Sequence, residues 1–223
     1  MTSKNPVHIG EVVVHGVMFD PKNEDALRTM DLDALYKSVP RLFELLDERG
    51  VSYLMVGGIA MLAYVEGRNT QDIDLIVSQH DLAKLPEIRL EDQNPEFARG
   101  WFGDLQIDFL FAESSLFEKV RRNFATTKRF AERDVPCATV EGLLLLKLYA
   151  MPSVYRQGRF AKVRTYEKDV ADLIERYHPS MDLLLSELAE HMLASDVDEV
   201  RKIVTEIEDR IARQSTRFKQ PND

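Results

Sequence analysis

Residues 51–77 read VSYLMVGGIAMLAYVEGRNTQDIDLIV, and the rest of the chain is arranged around them. The run Tyr53-Leu54-Met55-Val56 is apolar and stops at Gly57-Gly58, the pattern of a short buried strand ended by a turn. A helix is expected over 59–66, with Gly67 closing its C-terminal end. Arg68-Asn69-Thr70 then leads into a second strand, Asp72-Ile73-Asp74-Leu75-Ile76-Val77. Strand side chains alternate faces, so Asp72 and Asp74 point the same way. Two carboxylates side by side among apolar neighbours repel, and burying them uncompensated is costly. A hard divalent cation such as Mg²⁺ takes oxygen ligands and removes that conflict. The diglycine adds a complementary feature, because residues without Cβ let an anion approach the backbone N–H groups at a helix start. Anion at one end and cation at the other describe a nucleoside triphosphate with its metal.

The order of these features resembles the DNA polymerase β-like nucleotidyltransferase superfamily, whose signature is an apolar residue, Gly-Gly or Gly-Ser, a spacer and Asp-x-Asp. Here Val56-Gly57-Gly58 is followed by residues 59–71 and then Asp72-Ile73-Asp74. The resemblance implies transfer of a nucleoside monophosphate from a triphosphate to a hydroxyl. Asp72 and Asp74 would hold the metal, Mg²⁺ with Mn²⁺ as a substitute. Gly57, Gly58, Arg68 and Thr70 of the same stretch would hold the nucleotide. A third metal-site carboxylate is supplied in that superfamily by a later strand. Asp108, the one acidic residue in Leu105-Gln106-Ile107-Asp108-Phe109-Leu110-Phe111, is the candidate; a structural pair with an arginine is the alternative.

Composition sets outer bounds. The chain has 223 residues, enough for one domain or two small ones, and is 44% hydrophobic and 30% charged, as ordinary globular proteins are. The single cysteine, Cys137, excludes internal disulfides and thiolate metal clusters, which fits a reducing cytoplasm. No apolar run is long enough to cross a membrane, and residues 1–10 lack a signal-peptide core. The net charge of −9 argues against a general nucleic-acid coat. Basic residues nevertheless cluster, first as Lys119, Arg121, Arg122, Lys128, Arg129 and Arg133, then as Arg156, Arg159, Lys162, Arg164 and Lys168. A basic cleft on an acidic body can steer phosphates.

In chain order, residues 7–19 alternate loosely and are expected to form a strand or hairpin arm, with His8 and His15 as surface or packing residues. Residues 21–31 read as a polar linker. Val39, Leu42, Phe43 and Leu46 follow helical spacing, with Pro40 placed in the first turn and Gly50 as the stop. A short helix is expected near 81–85. A hairpin follows, 97–102 and 105–111, turned at Gly103-Asp104. From about Leu116 the pattern turns helical, and residues 130–136 separate two halves. Thr139 can cap a helix over 140–149, and residues 181–213 hold two amphipathic helices, the second striped by Val197, Val200, Ile203, Val204, Ile207 and Ile211. Residues 214–223 are expected to fray.

Within the helical half, Lys147 interrupts an apolar run and is followed by Arg164-Thr165-Tyr166-Glu167-Lys168-Asp169-Val170-Ala171-Asp172-Leu173. A lysine in such a run ordinarily snorkels to solvent. The spacing is also similar to the K…(R)xKDxxDL pattern of AbiEii-type nucleotidyltransferase toxins. That resemblance implies that Lys147 contacts nucleotide phosphates and that Asp169 completes the active site. It further implies an RNA acceptor, the tRNA 3′ end, and a cognate antitoxin protein as partner. Gly58 departs from the serine many such toxins carry. The sequence leaves open a protein-modifying enzyme, an antibiotic-modifying one, and a non-catalytic nucleotide-binding partner of a toxin–antitoxin pair. The expected architecture is α+β. A nucleotidyltransferase domain over 1–135, with a small mixed sheet flanked by helices and an N-terminal arm, precedes a C-terminal helical bundle over 136–223.

Overall fold

The computed structural model describes residues 6–217, and the chain divides into two compact units between Thr139 and Val140. That division falls just beyond the boundary at 135/136 expected from sequence, because Asp134–Ala138 is a strand of the first unit.

The first unit contains, in order, α1 (Ile9–Met18), a 3₁₀ turn (Pro21–Asn23), α2 (Glu24–Leu27), α3 (Leu32–Glu48), β1 (Tyr53–Val56), α4 (Gly57–Met61) and β2 (Asp72–Val77). It continues with α5 (Gln79–Leu82), β3 (Arg89–Gln93), β4 (Phe97–Phe102), β5 (Leu105–Phe111), α6 (Ser115–Asn123), β6 (Ala125–Arg129) and β7 (Asp134–Ala138). The strands form one seven-stranded sheet in the order β3-β4-β5-β2-β1-β7-β6. It is mixed: β2 runs parallel to β5 and β1 parallel to β7, while the other neighbours are antiparallel. Its central strands bury Leu54, Met55, Ile73, Leu75, Ile107 and Phe109, and with them the acidic Asp108.

Residues 9–18 are a helix rather than the expected strand. Ile9, Val13, Gly16 and Val17 are buried, at helical and not strand spacing, and the run Val12-Val13-Val14 imitates β-propensity locally. The helix start is capped from far away in sequence: the Gly10 amide donates to Glu132 Oε1 at 3.0 Å. Helix α3 begins a full two turns earlier than its apolar stripe suggests, because Asp31 caps it by accepting from the Ala34 amide at 3.0 Å, so Pro40 lies in its interior and not its first turn. Residues 21–31, read as a linker, contain the 3₁₀ turn and α2. Helix α4 is a single turn, shorter than the expected span 59–66.

Two more corrections concern strands. Residues 125–138 were expected to be helical and then a separator, yet β6 and β7 form an antiparallel hairpin on the sheet. Strand β6, ATTKR, lies at the edge with alternating exposure, and its charged and polar side chains suit a sheet border. Strand β3, at the opposite edge, is exposed at every residue and so carries no apolar alternation to signal it. The hairpin of β4 and β5 has the expected bounds, with Phe102 facing Leu105 across Gly103, whose φ is +60°.

The second unit is helical: α7 (Val140–Arg156), α8 (Phe160–Tyr177), α9 (Met181–Leu188) and α10 (Ala194–Arg217). Helix α7 runs past Tyr149 and through Pro152, longer than expected. Its leucines Leu143, Leu144, Leu145 and Leu148 are buried. Helix α8 ends at His178 in the left-handed conformation, φ +47°. On α10, Val197, Val200, Val204 and Ile207 are buried, as the stripe requires, while Ile203 and Ile211 lie at its margin. Arg156 on α7 donates to both oxygens of Asp196 on α10, at 2.7 and 3.2 Å. The fraying expected at 214–223 falls partly outside the described residues; α10 itself continues to Arg217. No helix among the described residues is long and apolar enough to cross a membrane.

Candidate active site

Strand β1 delivers the chain to Gly57, which turns with φ +62°, a conformation that favours glycine. The turn brings the backbone against β2. A Cβ on Gly57 would lie 1.8 Å from Asp74 Oδ2, and one on Gly58 would lie 2.3 Å from Thr70 Oγ1. The Gly58 amide donates to Asp74 Oδ2 at 3.2 Å, and Thr70 Oγ1 donates to Asp72 Oδ1 at 2.7 Å. The diglycine therefore lets the backbone close on Asp74, and a serine at position 58 would collide with Thr70. Arg68, half-buried, donates to the Asn69 carbonyl at 3.2 Å.

Register assembles the acidic side chains. Strands β2 and β5 run parallel with Asp74 beside Asp108, and β5 and β4 run antiparallel with Asp108 beside Arg99. Asp74, Asp108 and Arg99 thus form a row across three neighbouring strands, with Asp72 two residues before Asp74 on the same face. Asp72, Asp74 and Asp108 each offer a carboxylate oxygen, and these lie within 4.8 Å of one another. Three carboxylates facing one guanidinium leave an excess of negative charge, and the donors are all hard oxygens. This set fits a divalent cation of the Mg²⁺ kind.

The arginine beside Asp108 is the feature that reading the sequence missed. Arg99 Nε donates to Asp108 Oδ1 at 2.8 Å and Nη2 to Oδ2 at 2.7 Å, while Gln106 Nε2 adds a third bond to Oδ1 at 3.2 Å. The alternative role considered for Asp108, pairing with an arginine, therefore coexists with its place among the carboxylates. Hydrogen bonding to Asp108, and then the charges of Asp108 and Asp72, hold the Arg99 guanidinium above its ordinary pKa. The signal was available: once Phe102 faces Leu105, hairpin geometry obliges Arg99 to face Asp108.

Lys147 and Asp169 meet in the helical unit. Lys147 Nζ donates to Asp169 Oδ2 at 2.7 Å, both side chains are buried, and the ammonium sits 4.8 Å from the centre of the Tyr166 ring. Lys147 does not snorkel. The basic segments are extensively paired: Arg121 and Arg122 with Glu118, Arg129 with Asp134, Arg133 with Asp47, Arg156 with Asp196 and Lys168 with Asp172. Lys128 lies over the Tyr64 ring at 4.1 Å, and Lys162 at 5.4 Å from that of Tyr166.

No family model matches the chain, and no curated protein does. Among solved structures it is similar to the antibiotic-resistance factor ANT(2'')-Ia, at 16% identity and a TM-score of 0.47, over 82% of this chain and 97% of that one. It is also similar to the lincosamide antibiotic adenylyltransferase LnuA, at 16% identity and a TM-score of 0.44, over 61% and 94%. A third is an antigenic nucleotidyltransferase-like protein from Paracoccidioides brasiliensis, at 16% identity and a TM-score of 0.47, over 89% and 95%. At such identities and TM-scores, what this chain does is read from its own residues.

Proposed function

We propose that this chain is a metal-dependent nucleotidyltransferase that moves a nucleoside monophosphate from a triphosphate to a hydroxyl acceptor. The observation that supports it is the convergence of Asp72, Asp74 and Asp108 from two adjacent parallel strands, beside a diglycine turn. When bound, Mg²⁺ supplies charge stabilisation for the triphosphate. Asp72 and Asp74 orient the nucleotide's reacting end, held in place by Thr70 Oγ1 and the Gly58 amide. Asp108 serves the attacking oxygen and favours loss of its proton. The acceptor oxygen bonds to the α-phosphorus as the bridge to the β-phosphate breaks, releasing pyrophosphate. Gly57 and Gly58 admit the phosphates close to the backbone, and Arg68 offsets their charge. By the AbiEii-type resemblance, Lys147 would contact the phosphates and Asp169 would complete the active site.

The acceptor is the finer question. The tRNA reading, with an antitoxin partner, rests on that resemblance and on the basic segments. Their extensive pairing with acids favours a small or protein-borne hydroxyl over a nucleic-acid backbone, which calls for cations directed at phosphates. Incubation with each α-³²P-labelled nucleoside triphosphate, Mg²⁺ and, separately, total RNA, cell protein and a panel of hydroxylated small molecules including aminoglycosides tests both levels. Label on a small molecule or a protein supports the favoured acceptor. Label on RNA 3′ ends replaces it with the tRNA reading, and no label under any condition refutes nucleotidyl transfer.

A further inference from the structure

The row Asp74–Asp108–Arg99 places a cation where a metal ligand is wanted. Asp108 is fixed, because it sits mid-strand in a central pair of strands with a side chain only 7% exposed. Arg99 is not fixed in the same way: it projects from β4, one strand nearer the edge, and its side chain is 37% exposed. Its planar fork takes both Asp108 oxygens at once, a geometry that lysine cannot reproduce. A divalent cation approaching those oxygens meets a positive charge already bonded to them.

We propose that Arg99 is a positioning residue that withholds Asp108 from the metal until an anionic ligand draws its guanidinium away. The inference rests on the nucleotidyltransferase reading, because the anion it invokes is the triphosphate. Before nucleotide arrives, Arg99 compensates the buried carboxylate and keeps it in one rotamer. A triphosphate presents phosphate oxygens that match the guanidinium fork as well as a carboxylate does. Arg99 then exchanges one anion for another, and Asp108 becomes a ligand as the substrate enters. Metal loading at Asp108 is thereby tied to nucleotide, which guards the site against holding its full metal complement without substrate.

The test is Mn²⁺ binding to the full chain in the absence of nucleotide, followed by the electron paramagnetic resonance of free Mn²⁺. Arg99→Met should bind Mn²⁺ about tenfold more tightly than wild type or better, because a nearby positive charge is removed. Adding Asp108→Asn to Arg99→Met should abolish that gain. Arg99→Gln, which keeps a neutral donor beside Asp108, serves if Arg99→Met does not fold, and should tighten binding in the same direction. A purely structural arginine predicts weaker binding in both variants. Unchanged or weaker affinity in a folded variant overturns the proposal, as does a gain that survives Asp108→Asn. If wild type binds Mn²⁺ and loses it in Asp72→Asn while Arg99→Gln changes nothing, this inference falls and the metal site stands. A wild type that binds no Mn²⁺ at millimolar concentration refutes the metal site and the inference together.

Discussion

Replacing Lys147 by methionine keeps the length of the side chain and removes its charge. Asp169 is then left as a carboxylate with 1% of its side chain exposed, facing the methionine where its 2.7 Å donor was. Breaking a buried pair from one side costs about 3–5 kcal/mol, because the remaining charge stays desolvated. A unit of this length holds only about 4–12 kcal/mol in all. The variant should therefore sit close to unfolding in its helical unit, with a urea midpoint lower by about 2 M or more at slopes of about 1–2 kcal/mol/M. Lys147→Met/Asp169→Leu removes both charges and leaves apolar groups among leucines, so most of that loss should return. The comparison needs four proteins, followed by helical circular dichroism through urea titration, with Asp169→Leu as the fourth. Coupling between the two sites should reach at least about 2 kcal/mol. If Lys147 also binds phosphate, the double variant regains stability without regaining triphosphate affinity. Additive single losses, or a Lys147→Met loss below about 1 kcal/mol, would refute the reasoning that a buried pair, rather than two independently hydrated groups, occupies this place.

Asp72→Asn and Asp74→Asn should each abolish nucleotidyl transfer while the circular dichroism spectrum is kept; full transfer by either, or by wild type in excess EDTA, contradicts the metal site. Gly57→Ala carries a left-handed backbone cost of about 1–2 kcal/mol and forces Asp74 aside, so both the melting temperature and the transfer rate should fall, checked by thermal scanning and the labelled-nucleotide assay. Burial pushes the Cys137 thiol from 9.0 up to about 12, so it should resist a thiol reagent at pH 8 and react on unfolding. Cys137 lies in the sheet unit, whose alkaline stability should decline as pH climbs from about 9 toward 12: the raised folded pKa means the unfolded thiol ionises first. In acid the sign reverses for Glu118, whose pKa is held below the ordinary 4.5 chiefly by hydrogen bonds from Arg121. Its stabilising contribution is present above the ordinary value and is lost as pH falls through the folded one. Urea midpoints across pH 3–6 should decline less in Glu118→Gln than in wild type.

How much could be read in advance depended on the range of each interaction. The Asp72/Asp74 pair was legible because strand alternation is a two-residue rule, and the hairpin at Gly103 because its turn chemistry is local. Strands β3 and β6 were not, since edge strands bury little and carry the polar side chains of loops. Helix α1 was misread from three consecutive valines, whose local preference was overruled by the buried face that Val13 alone of them shares with Ile9 and Val17. Its cap by Glu132 lies 122 residues away, beyond any window of sequence. Asp108 stands out as an acid among apolar neighbours; Arg99 does not, because its pairing shows only when the register set by the Gly103 turn is followed three residues back along each strand.

The close passage of α1 by the loop before β2 has a practical meaning. A Cβ at Gly16 would stand 2.1 Å from the Thr70 carbonyl oxygen, so the helix surface and the loop are in direct backbone contact there. Just beyond the helix, Asn23 Nδ2 donates to Gln71 Oε1 at 2.7 Å, and Gln71 reaches Asp20. The leading segment is thus a splint for the residue that steadies Asp72. Trimming it to aid crystallisation, or mutating Gly16 while screening for solubility, amounts to altering the strand that carries Asp72 and Asp74 from a distance. An inactive shortened protein would then report a loosened Thr70, and its inactivity would say nothing against the chemistry.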